Sequence, residues 1–248
     1  MRLGLIIIFS LLGSVGAVLG AGLWLLLREG VRRHIVPCLV SFAAGTLLGA
    51  ACLGLIPHAL EHLDAFSVMG TVLIGIVLFF VLEKLVLWRH CHKVDCDVHE
   101  AAGSLILVGD AFHNFADGVV IAAAFLGAVP LGIATGLAVI AHEIPQEVGD
   151  FAILLDSGYS RRRAFLYNTA SSLSTFVGAI IAYFSLTYIQ IAVPYVMALS
   201  AASFLYISMA DLIPGLQGRL GLGASLRQFI LLLAGIGVIL LFHLHPHP

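Results

Sequence analysis

The sequence is dominated by long apolar runs, each of a length that crosses a lipid bilayer as a helix. A helix needs about 20 mainly apolar residues to span the hydrocarbon, and eight stretches of this 248-residue chain meet that requirement. Their approximate limits are 3–27, 35–57, 66–88, 102–127, 130–155, 163–188, 191–214 and 226–243. We call them spans one to eight. They predict an all-α, polytopic membrane protein that forms a single transmembrane domain over residues 1–248.

The composition excludes the soluble classes of protein. Hydrophobic residues make up 60% of the chain and charged residues only 10%, whereas soluble domains average about 45–50% and about 25%. A chain this apolar, with short connections between its spans, is not expected to be a soluble enzyme or to bind nucleic acid. The first run, from Leu3 to Leu27, is longer than the apolar core of about 7–15 residues in an export signal. We therefore interpret it as a retained span.

The positions of the basic residues predict the orientation of the chain. Cytoplasmic loops of membrane proteins are enriched in Lys and Arg. If the loops alternate between two sides, the connections between spans one and two, three and four, five and six, and seven and eight lie on the same side. Every one of the 12 basic residues except Arg2 falls near these four connections. These connections are predicted to be cytoplasmic, so both termini are predicted to be extracytoplasmic.

A short repeated sequence suggests an internal symmetry. Span two ends in Leu55-Ile56-Pro57, and span seven ends in Leu212-Ile213-Pro214. The predicted orientation makes these two spans run in opposite directions. That pattern fits an inverted repeat of spans one to three and six to eight around spans four and five, a 3+2+3 arrangement. A chance match of three residues is the alternative.

Two spans carry ionisable residues within their apolar sequence. In span four these polar residues fall within an arc of about 100° on a helix: Asp110, His113, Asn114 and Asp117. In span five they fall within about 140°: His142, Glu143, Gln146, Glu147 and Asp150. A carboxylate at the bilayer centre costs about 2.5–3.5 kcal/mol on insertion scales. We therefore expect these two stripes to face each other, water or a cation.

The chemistry of the stripes indicates a divalent transition metal. Imidazole, carboxylate and amide ligands suit Zn²⁺, Fe²⁺ or Mn²⁺ better than Cu(I), which prefers sulfur. The expected partners are divalent metal ions and the lipid bilayer, and the metal is expected as a transported substrate rather than a prosthetic group. The sequence leaves open whether two copies form a homodimer.

The two stripes resemble signature motifs of the ZIP family of divalent-metal transporters. The fourth-helix motif of that family, His-Asn-x-x-Asp/Glu-Gly, matches the stretch from His113 to Gly118. The fifth-helix motif of one branch, His-Glu-x-Pro-His-Glu-x-Gly-Asp, matches the stretch from His142 to Asp150, with Gln146 in place of the second histidine. Eight spans with extracytoplasmic termini also resemble the family.

The resemblance implies two adjacent metal positions between spans four and five, with Asp117 bridging them. The implied ligands of the first are His113, Asp117, His142 and Gln146, and those of the second are Asn114, Asp117, Glu143 and Gln146. Many relatives add a glutamate from the sixth helix, and Thr175 holds that place here. The resemblance also implies movement of Zn²⁺, or of Fe²⁺, Mn²⁺ or Cd²⁺, toward the cytoplasm by a rocking or elevator-like motion of helix bundles.

Several further residues are predicted near the metal path. Asp110, Glu147 and Asp150 are expected either to support the ligands or to lie on the path by which metal leaves. Asp211, near the end of span seven, either lines the metal path or caps its helix. His58, Glu61 and His62 share one helix face and are predicted either to collect metal at the extracytoplasmic side or to form a solvated helix end. The tract 90–99, with Cys91, Cys96 and several histidines, either senses or accepts metal in the cytoplasm or has no metal role.

Two other functions compete with transport of metal. The stretch from His142 to Gln146 resembles the His-Glu-x-x-His motif of zinc proteases, broken at its last ligand, so an intramembrane zinc metalloprotease is one alternative. A carrier of organic solutes is the other, but it would not need paired stripes of histidine and carboxylate. The function predicted from the sequence is a metal transporter and not an enzyme.

Overall fold

The computed structural model describes residues 1–25, 29–90, 98–217 and 221–244, and within them the secondary structure is helical, without strands. This confirms the all-α prediction for the part of the chain that the structure describes. Residues 91–97, which include Cys91 and Cys96, lie outside the described residues, so the predicted metal role of the tract 90–99 stays a prediction.

Each predicted span corresponds to one helix or to consecutive helical segments. Span one consists of Arg2–Leu11, the π-turn Leu12–Gly16 and Ala17–Leu25. Span two consists of Glu29–Gly49, the π-turn Ala50–Leu55 and Ile56–Leu60, and span three is Ala65–His90. Spans four and five are single helices, Val98–Gly127 and Val129–Asp156. Span six is Arg161–Ser172 and Ser174–Tyr188. Span seven consists of the 3₁₀ turn Gln190–Ala192, Val193–Tyr206, the π-turn Ile207–Leu212 and Ile213–Gln217, and span eight is Leu222–Leu244.

Six of these spans are long and apolar enough to cross a membrane by length and composition. They are Arg2–Leu23, Ile35–Leu60, Ala65–Leu82, Arg161–Tyr188, Gln190–Gln217 and Leu222–Leu241. The two other long helices are spans four and five, which carry the polar stripes. The chain is therefore a multi-pass membrane protein, and the count of eight crossings stays a prediction.

The two Leu-Ile-Pro sequences occupy the same local structure. Each leucine ends a π-turn, in which the N–H of the following isoleucine reaches five residues back: Ile56 donates to the carbonyl of Ala51, and Ile213 donates to that of Ser208. Proline has no N–H to donate to the carbonyl four residues before it. A register with five-residue hydrogen bonds is therefore favoured just before each proline.

Spans four and six approach each other at backbone distance, and two glycines allow it. A Cβ atom at Gly118 would collide with the carbonyl oxygen of Thr175, and one at Gly178 would collide with the carbonyl oxygen of Phe115. Small residues are the usual means by which membrane helices come this close. The crossing holds the polar residues of span six against those of span four.

The connection between spans two and three is short and closed by a helix cap. The backbone N–H of Ser67 donates to Asp64 Oδ1 at 3.0 Å, and the Ser67 hydroxyl donates to Asp64 Oδ2 at 2.5 Å. These hydrogen bonds favour the ionised carboxylate and hold the pKa of Asp64 below its ordinary value. The cap fixes the start of span three, directly after the turn that carries His62.

Candidate metal centre

Four ligand-type side chains converge in the middle of the bundle. His113 and Asp117 of span four and His142 and Glu143 of span five each offer one ligand atom, and these four atoms all lie within 4.8 Å of one another. The Nε2 atom of His142 is 3.0 Å from Asp117 Oδ2 and 3.2 Å from the Nε2 atom of His113. The Nε2 atom of His113 is 3.4 Å from Glu143 Oε1. We call these four residues the central cluster.

A backbone hydrogen bond orients the imidazole of His142. Its Nδ1 atom lies 2.9 Å from the carbonyl oxygen of Ala138, which can only accept, so Nδ1 carries the proton. In the neutral ring Nε2 then presents its lone pair to the cluster. A hydrogen bond of this kind is the usual way in which proteins orient metal-binding histidines. The ring of Phe204, from span seven, packs against His142 with 6.0 Å between centroids.

The charge distribution of the central cluster suits a cation. Asp117 and Glu143 are 0% exposed, and all four of their carboxylate oxygens lack a hydrogen-bond donor within the described residues. Buried carboxylates without a partner are costly. With His142 neutral, its Nε2 lone pair faces Asp117 Oδ2 at 3.0 Å, so a proton or a metal cation between the two groups is favoured. A divalent ion with nitrogen and oxygen ligands would satisfy both groups at once.

Asn114 and Gln146 lie beside the central cluster and bond to Asp110. The Nδ2 atom of Asn114 donates to Asp110 Oδ1 at 2.8 Å, and the Nε2 atom of Gln146 donates to the same oxygen at 3.3 Å. The hydroxyl of Thr175 donates to Asn114 Oδ1 at 2.8 Å. The amide oxygen that would serve as a ligand is therefore engaged with span six. The metal roles of Asn114 and Gln146 stay predictions.

Span six contributes polar contacts that the sequence analysis missed. Ser171 donates to Asp110 Oδ2 at 2.6 Å, and Ser174 donates to the carbonyl of Ala111 at 2.6 Å. Asn168 donates to a carboxylate oxygen of Glu147. The sequence did indicate a polar segment here, because residues 168–175 of an otherwise apolar span are mostly Asn, Ser and Thr. The pattern alone does not say which helix these groups contact.

Carboxylates continue from the central cluster toward one end of the bundle. That end, which we call the Asp156 end, contains the C-terminus of span five. Asp110 is 5% exposed and Asp150 is 8% exposed. Asp211 of span seven is exposed, and its carboxylate lies close enough to that of Asp150 for the two to interact electrostatically. Three acidic groups thus connect the central cluster to the surface.

The opposite direction is closed by apolar side chains. The Gly127 end of the bundle contains the C-terminus of span four. Between it and the central cluster lies an apolar layer of buried residues from spans two, four, five and seven: Leu55, Val120, Ile121, Phe125, Ala134, Ala138, Val139, Met197, Ala198 and Ala201. The ring of Phe9 packs on Phe125 at 5.4 Å. Buried acidic residues therefore lie on the Asp156 side of the central cluster, and apolar residues lie on its Gly127 side.

The second group of ligand-type side chains lies at the Gly127 end. His58, Glu61 and His62 offer ligand atoms within 4.8 Å of one another. The structure thus brings these three predicted residues together, well apart from the central cluster.

Fold and site together define a helical, multi-pass membrane protein with a buried, cation-compatible centre of imidazole and carboxylate groups. The model of the ZIP zinc transporter family matches residues 88–243, which include both polar stripes. Zinc transporter ZIP13 of Pongo abelii is 33% identical over 234 residues, which cover 88% of this chain and 70% of that protein. The chain therefore belongs to the ZIP zinc transporter family.

Two more relatives match over shorter regions. Zinc transporter foi of Drosophila melanogaster is 37% identical over 58% of this chain, and zinc transporter ZIP4 of Homo sapiens is 42% identical over 45% of it. The matched regions cover only 20% and 17% of those two proteins. Family membership confirms the predicted class of transporter and the absence of an enzyme function. The metalloprotease alternative is not supported, because Gln146 bonds to Asp110 instead of completing a zinc site with His142.

Proposed function

We propose that this protein carries Zn²⁺ across the membrane toward the cytoplasm and that the central cluster is the transport site. The observation that carries this proposal is the convergence of His113, Asp117, His142 and Glu143 within 4.8 Å at mid-span, with four buried carboxylate oxygens free to bind a cation. Fe²⁺, Mn²⁺ and Cd²⁺ are chemically similar substrates for the same ligands.

The four converging ligands fit one ion. Tetrahedral zinc is held by four ligands, and histidine and carboxylate both bind it at about 2.0–2.2 Å. The close approach of the ligand atoms of His113, Asp117, His142 and Glu143 is compatible with that geometry after small adjustments. Asn114 and Gln146 are then positioned to stabilise Asp110, or to replace a ligand as the ion moves toward the Asp156 end.

The direction of transport follows from the predicted orientation. Under the positive-inside rule, the connections that contain Arg161, Arg162 and Arg163 and the other basic residues lie in the cytoplasm, and both termini are extracytoplasmic. The Asp156 end then faces the cytoplasm. Since Asp110, Asp150 and Asp211 lie between the central cluster and that end, we propose that metal leaves the cluster along these acidic residues toward the cytoplasm.

Helix pairings support the 3+2+3 inverted repeat as part of this proposal. Span two packs on span eight, and span seven packs on span three. An exchange of spans one to three with spans six to eight converts the first pairing into the second. The inverted repeat also exchanges span four with span five. It therefore relates the pairing of spans four and six to the pairing of spans five and one, and both pairings are present. The two π-turns that precede Pro57 and Pro214 fall at corresponding positions. Two such halves can rock around spans four and five and open the site to either side alternately.

Uptake into proteoliposomes tests the transport function. We expect the purified protein to move Zn²⁺ into vesicles that contain a zinc-sensitive dye. Asp117→Asn and His142→Gln should abolish the flux, because each removes a ligand while keeping the size of the side chain. A competition series with Fe²⁺, Mn²⁺ and Cd²⁺ then ranks the substrates. A wild-type protein that moves none of these ions would refute the proposal.

A homodimer stays a prediction for this protein. The mass of the purified protein in detergent, corrected for bound detergent, would distinguish one copy from two.

A further inference from the structure

We propose that His58, Glu61 and His62 form a second metal site, specific for zinc and similar divalent ions, at the Gly127 end of the bundle. This site is separate from the central cluster. Gly127 lies against His58 and is 10 residues from Asp117, the nearest member of the central cluster on span four, which corresponds to about 15 Å at 1.5 Å per residue. The apolar layer separates the two sites.

The spacing of the three residues is a known zinc-binding pattern. His58, Glu61 and His62 read His-x-x-Glu-His, in which two histidines one helical turn apart can ligate the same ion. In the proteases that use this spacing the glutamate acts as a base. Here the Nδ1 atom of His58 is 3.2 Å from Glu61 Oε2, so the carboxylate is placed as a third ligand.

Local hydrogen bonds keep the three side chains on one face. The helix Ile56–Leu60 is short, but its turn continues beyond Leu60. The N–H of Glu61 donates to the carbonyl of Pro57 at 3.2 Å, and the N–H of His62 donates to that of Ala59 at 3.1 Å. Residues at i, i+3 and i+4 therefore remain neighbours.

The distances fit a tetrahedral ion. Zinc binds histidine nitrogen and carboxylate oxygen at about 2.0–2.2 Å, so two of its ligand atoms lie about 3.3 Å apart. The 3.2 Å between His58 Nδ1 and Glu61 Oε2 matches that edge. The rings of His58 and His62 lie 5.4 Å apart at 75°, and one ligand atom from each of the three residues lies within 4.8 Å of the other two. Three protein ligands leave the fourth position of the ion to water, as suits a site that must release its metal.

The position of His58 is set by its neighbours and does not depend on metal. A Cβ atom at Gly127 would lie 2.8 Å from the Nε2 atom of His58, so the glycine makes room for the ring. The side chain of His58 is 19% exposed, whereas that of Glu61 is 63% exposed. One ligand is thus held against span four, and the others are open to the aqueous phase from which an ion arrives.

The number of bound ions tests the site without reference to transport. We would titrate the purified full-length protein with Zn²⁺ by calorimetry and compare the double variant His58→Gln/His62→Gln with Leu60→Gln. The control places the same glutamine in the same turn and removes no ligand. The count should fall by one ion per chain in the double variant and stay unchanged in the control. The test uses the difference in ion count between the double variant and the control. Zinc bound by other groups of the chain contributes equally to both counts and cancels.

A spectroscopic measurement distinguishes the loss of a metal site from misfolding of the variants. Co²⁺ in place of Zn²⁺ should show a visible absorption spectrum of tetrahedral nitrogen and oxygen ligation in the Asp117→Asn/His142→Gln background. The absorbance should fall by the contribution of one such site when His58→Gln and His62→Gln are added. The helical circular dichroism of all variants should coincide. An unchanged ion count in the double variant, or an ordinary ion pair between His58 and Glu61 without bound metal, would overturn the proposal.

The role of the second site in capturing cargo rests on the proposed function. If the site delivers Zn²⁺ to the transport path, His58→Gln/His62→Gln raises the KM of zinc uptake and leaves the maximal rate unchanged. A wild-type protein without uptake would refute the transport function, while the ion count would still decide whether the second site exists. An unchanged KM together with the loss of one ion would refute the capture role alone.

Discussion

At the scale of single residues, the central cluster is held in a conformation that is costly without its ligand. Asp117 and Glu143 are fully buried, and the donors around them are used elsewhere: His142 donates to the carbonyl of Ala138, and Asn114 and Gln146 donate to Asp110. This arrangement resembles the pre-organised shell of a metal site, in which outer hydrogen bonds fix the ligands. Binding energy for the ion is thus obtained at the expense of the stability of the metal-free protein.

This balance predicts that Asp117→Asn stabilises the metal-free protein. The substitution removes a buried charge that has no hydrogen-bond donor and provides an amide N–H for His142, which should raise the stability by about 1–3 kcal/mol. Thermal unfolding in detergent, with a chelator present, measures the effect as a higher Tm than that of the wild type.

The same variant should lose the part of the stabilisation by zinc that comes from the central cluster. A ligand at 100 times its Kd stabilises a protein by about 2.7 kcal/mol, so added Zn²⁺ should raise the Tm of the wild type more than that of Asp117→Asn, in which the site of His58, Glu61 and His62 remains. If the variant unfolds at a lower temperature than the wild type in chelator, the interpretation of Asp117 as an uncompensated carboxylate is wrong.

Thr175 provides a second test at this scale. Its hydroxyl donates to Asn114 Oδ1, and both residues are 0% exposed. Thr175→Val keeps the shape of the side chain but leaves the amide oxygen without a donor, which should cost about 1–3 kcal/mol. Thr175→Ser keeps the hydroxyl and serves as the control. Equal Tm values for the two variants would show that the hydrogen bond contributes nothing.

At the scale of helices, the motif glycines of spans four and five have different roles. Gly118 lies where spans four and six touch, and a Cβ atom there would collide with the backbone of Thr175. Gly149 has no heavy atom within 4 Å of an added Cβ. Only the first of them is required for helix packing.

We therefore expect Gly118→Ala to separate spans four and six and to move the central cluster, because backbone atoms cannot yield as a side chain can. Overpacking typically costs about 1–3 kcal/mol, and zinc uptake should fall with it. Gly149→Ala is the matched control, since alanine within a helix is about 0.5–1 kcal/mol more favourable than glycine. Zinc uptake and Tm would be measured for the two variants and the wild type. A Gly118→Ala protein with the uptake and Tm of the wild type would contradict the close contact between spans four and six.

The sequence predicted the helices better than it predicted their contacts. The limits of the spans follow from apolar run lengths, which depend on local composition, so the predicted span 130–155 agrees with the observed helix Val129–Asp156. The stripes of spans four and five were predictable from helical periodicity. The bonding of Gln146 to Asp110 was not, because it depends on how the two helices are turned toward each other. The π-turns were also missed, although Pro57 and Pro214 were visible.

At the scale of the whole molecule, the two sides of the central cluster differ in polarity. Acidic residues lie between the cluster and the Asp156 end, and the apolar layer lies between the cluster and the Gly127 end. Thr135 is a buried polar residue within that layer. It is 0% exposed, its hydroxyl has no partner among the described residues, and it lies seven residues, about two helical turns, before His142 on the same face. We expect Thr135 to become accessible to water when the Gly127 end opens and Zn²⁺ passes toward His142.

Accessibility of single cysteines tests this alternation. With Cys38, Cys52, Cys91 and Cys96 replaced by serine, Asp211→Cys and Thr135→Cys would be exposed to a membrane-impermeant thiol reagent from each face of oriented vesicles. Without metal, the cysteine at 211 should react only from the cytoplasmic face, because Asp211 is exposed at the Asp156 end. The cysteine at 135 should be protected from both faces by the apolar layer. During zinc uptake the cysteine at 135 should react from the extracytoplasmic face, while the reaction at 211 should slow. The reverse pattern at rest would mean that the described conformation opens outward, and protection of 135 throughout uptake would place the zinc path elsewhere.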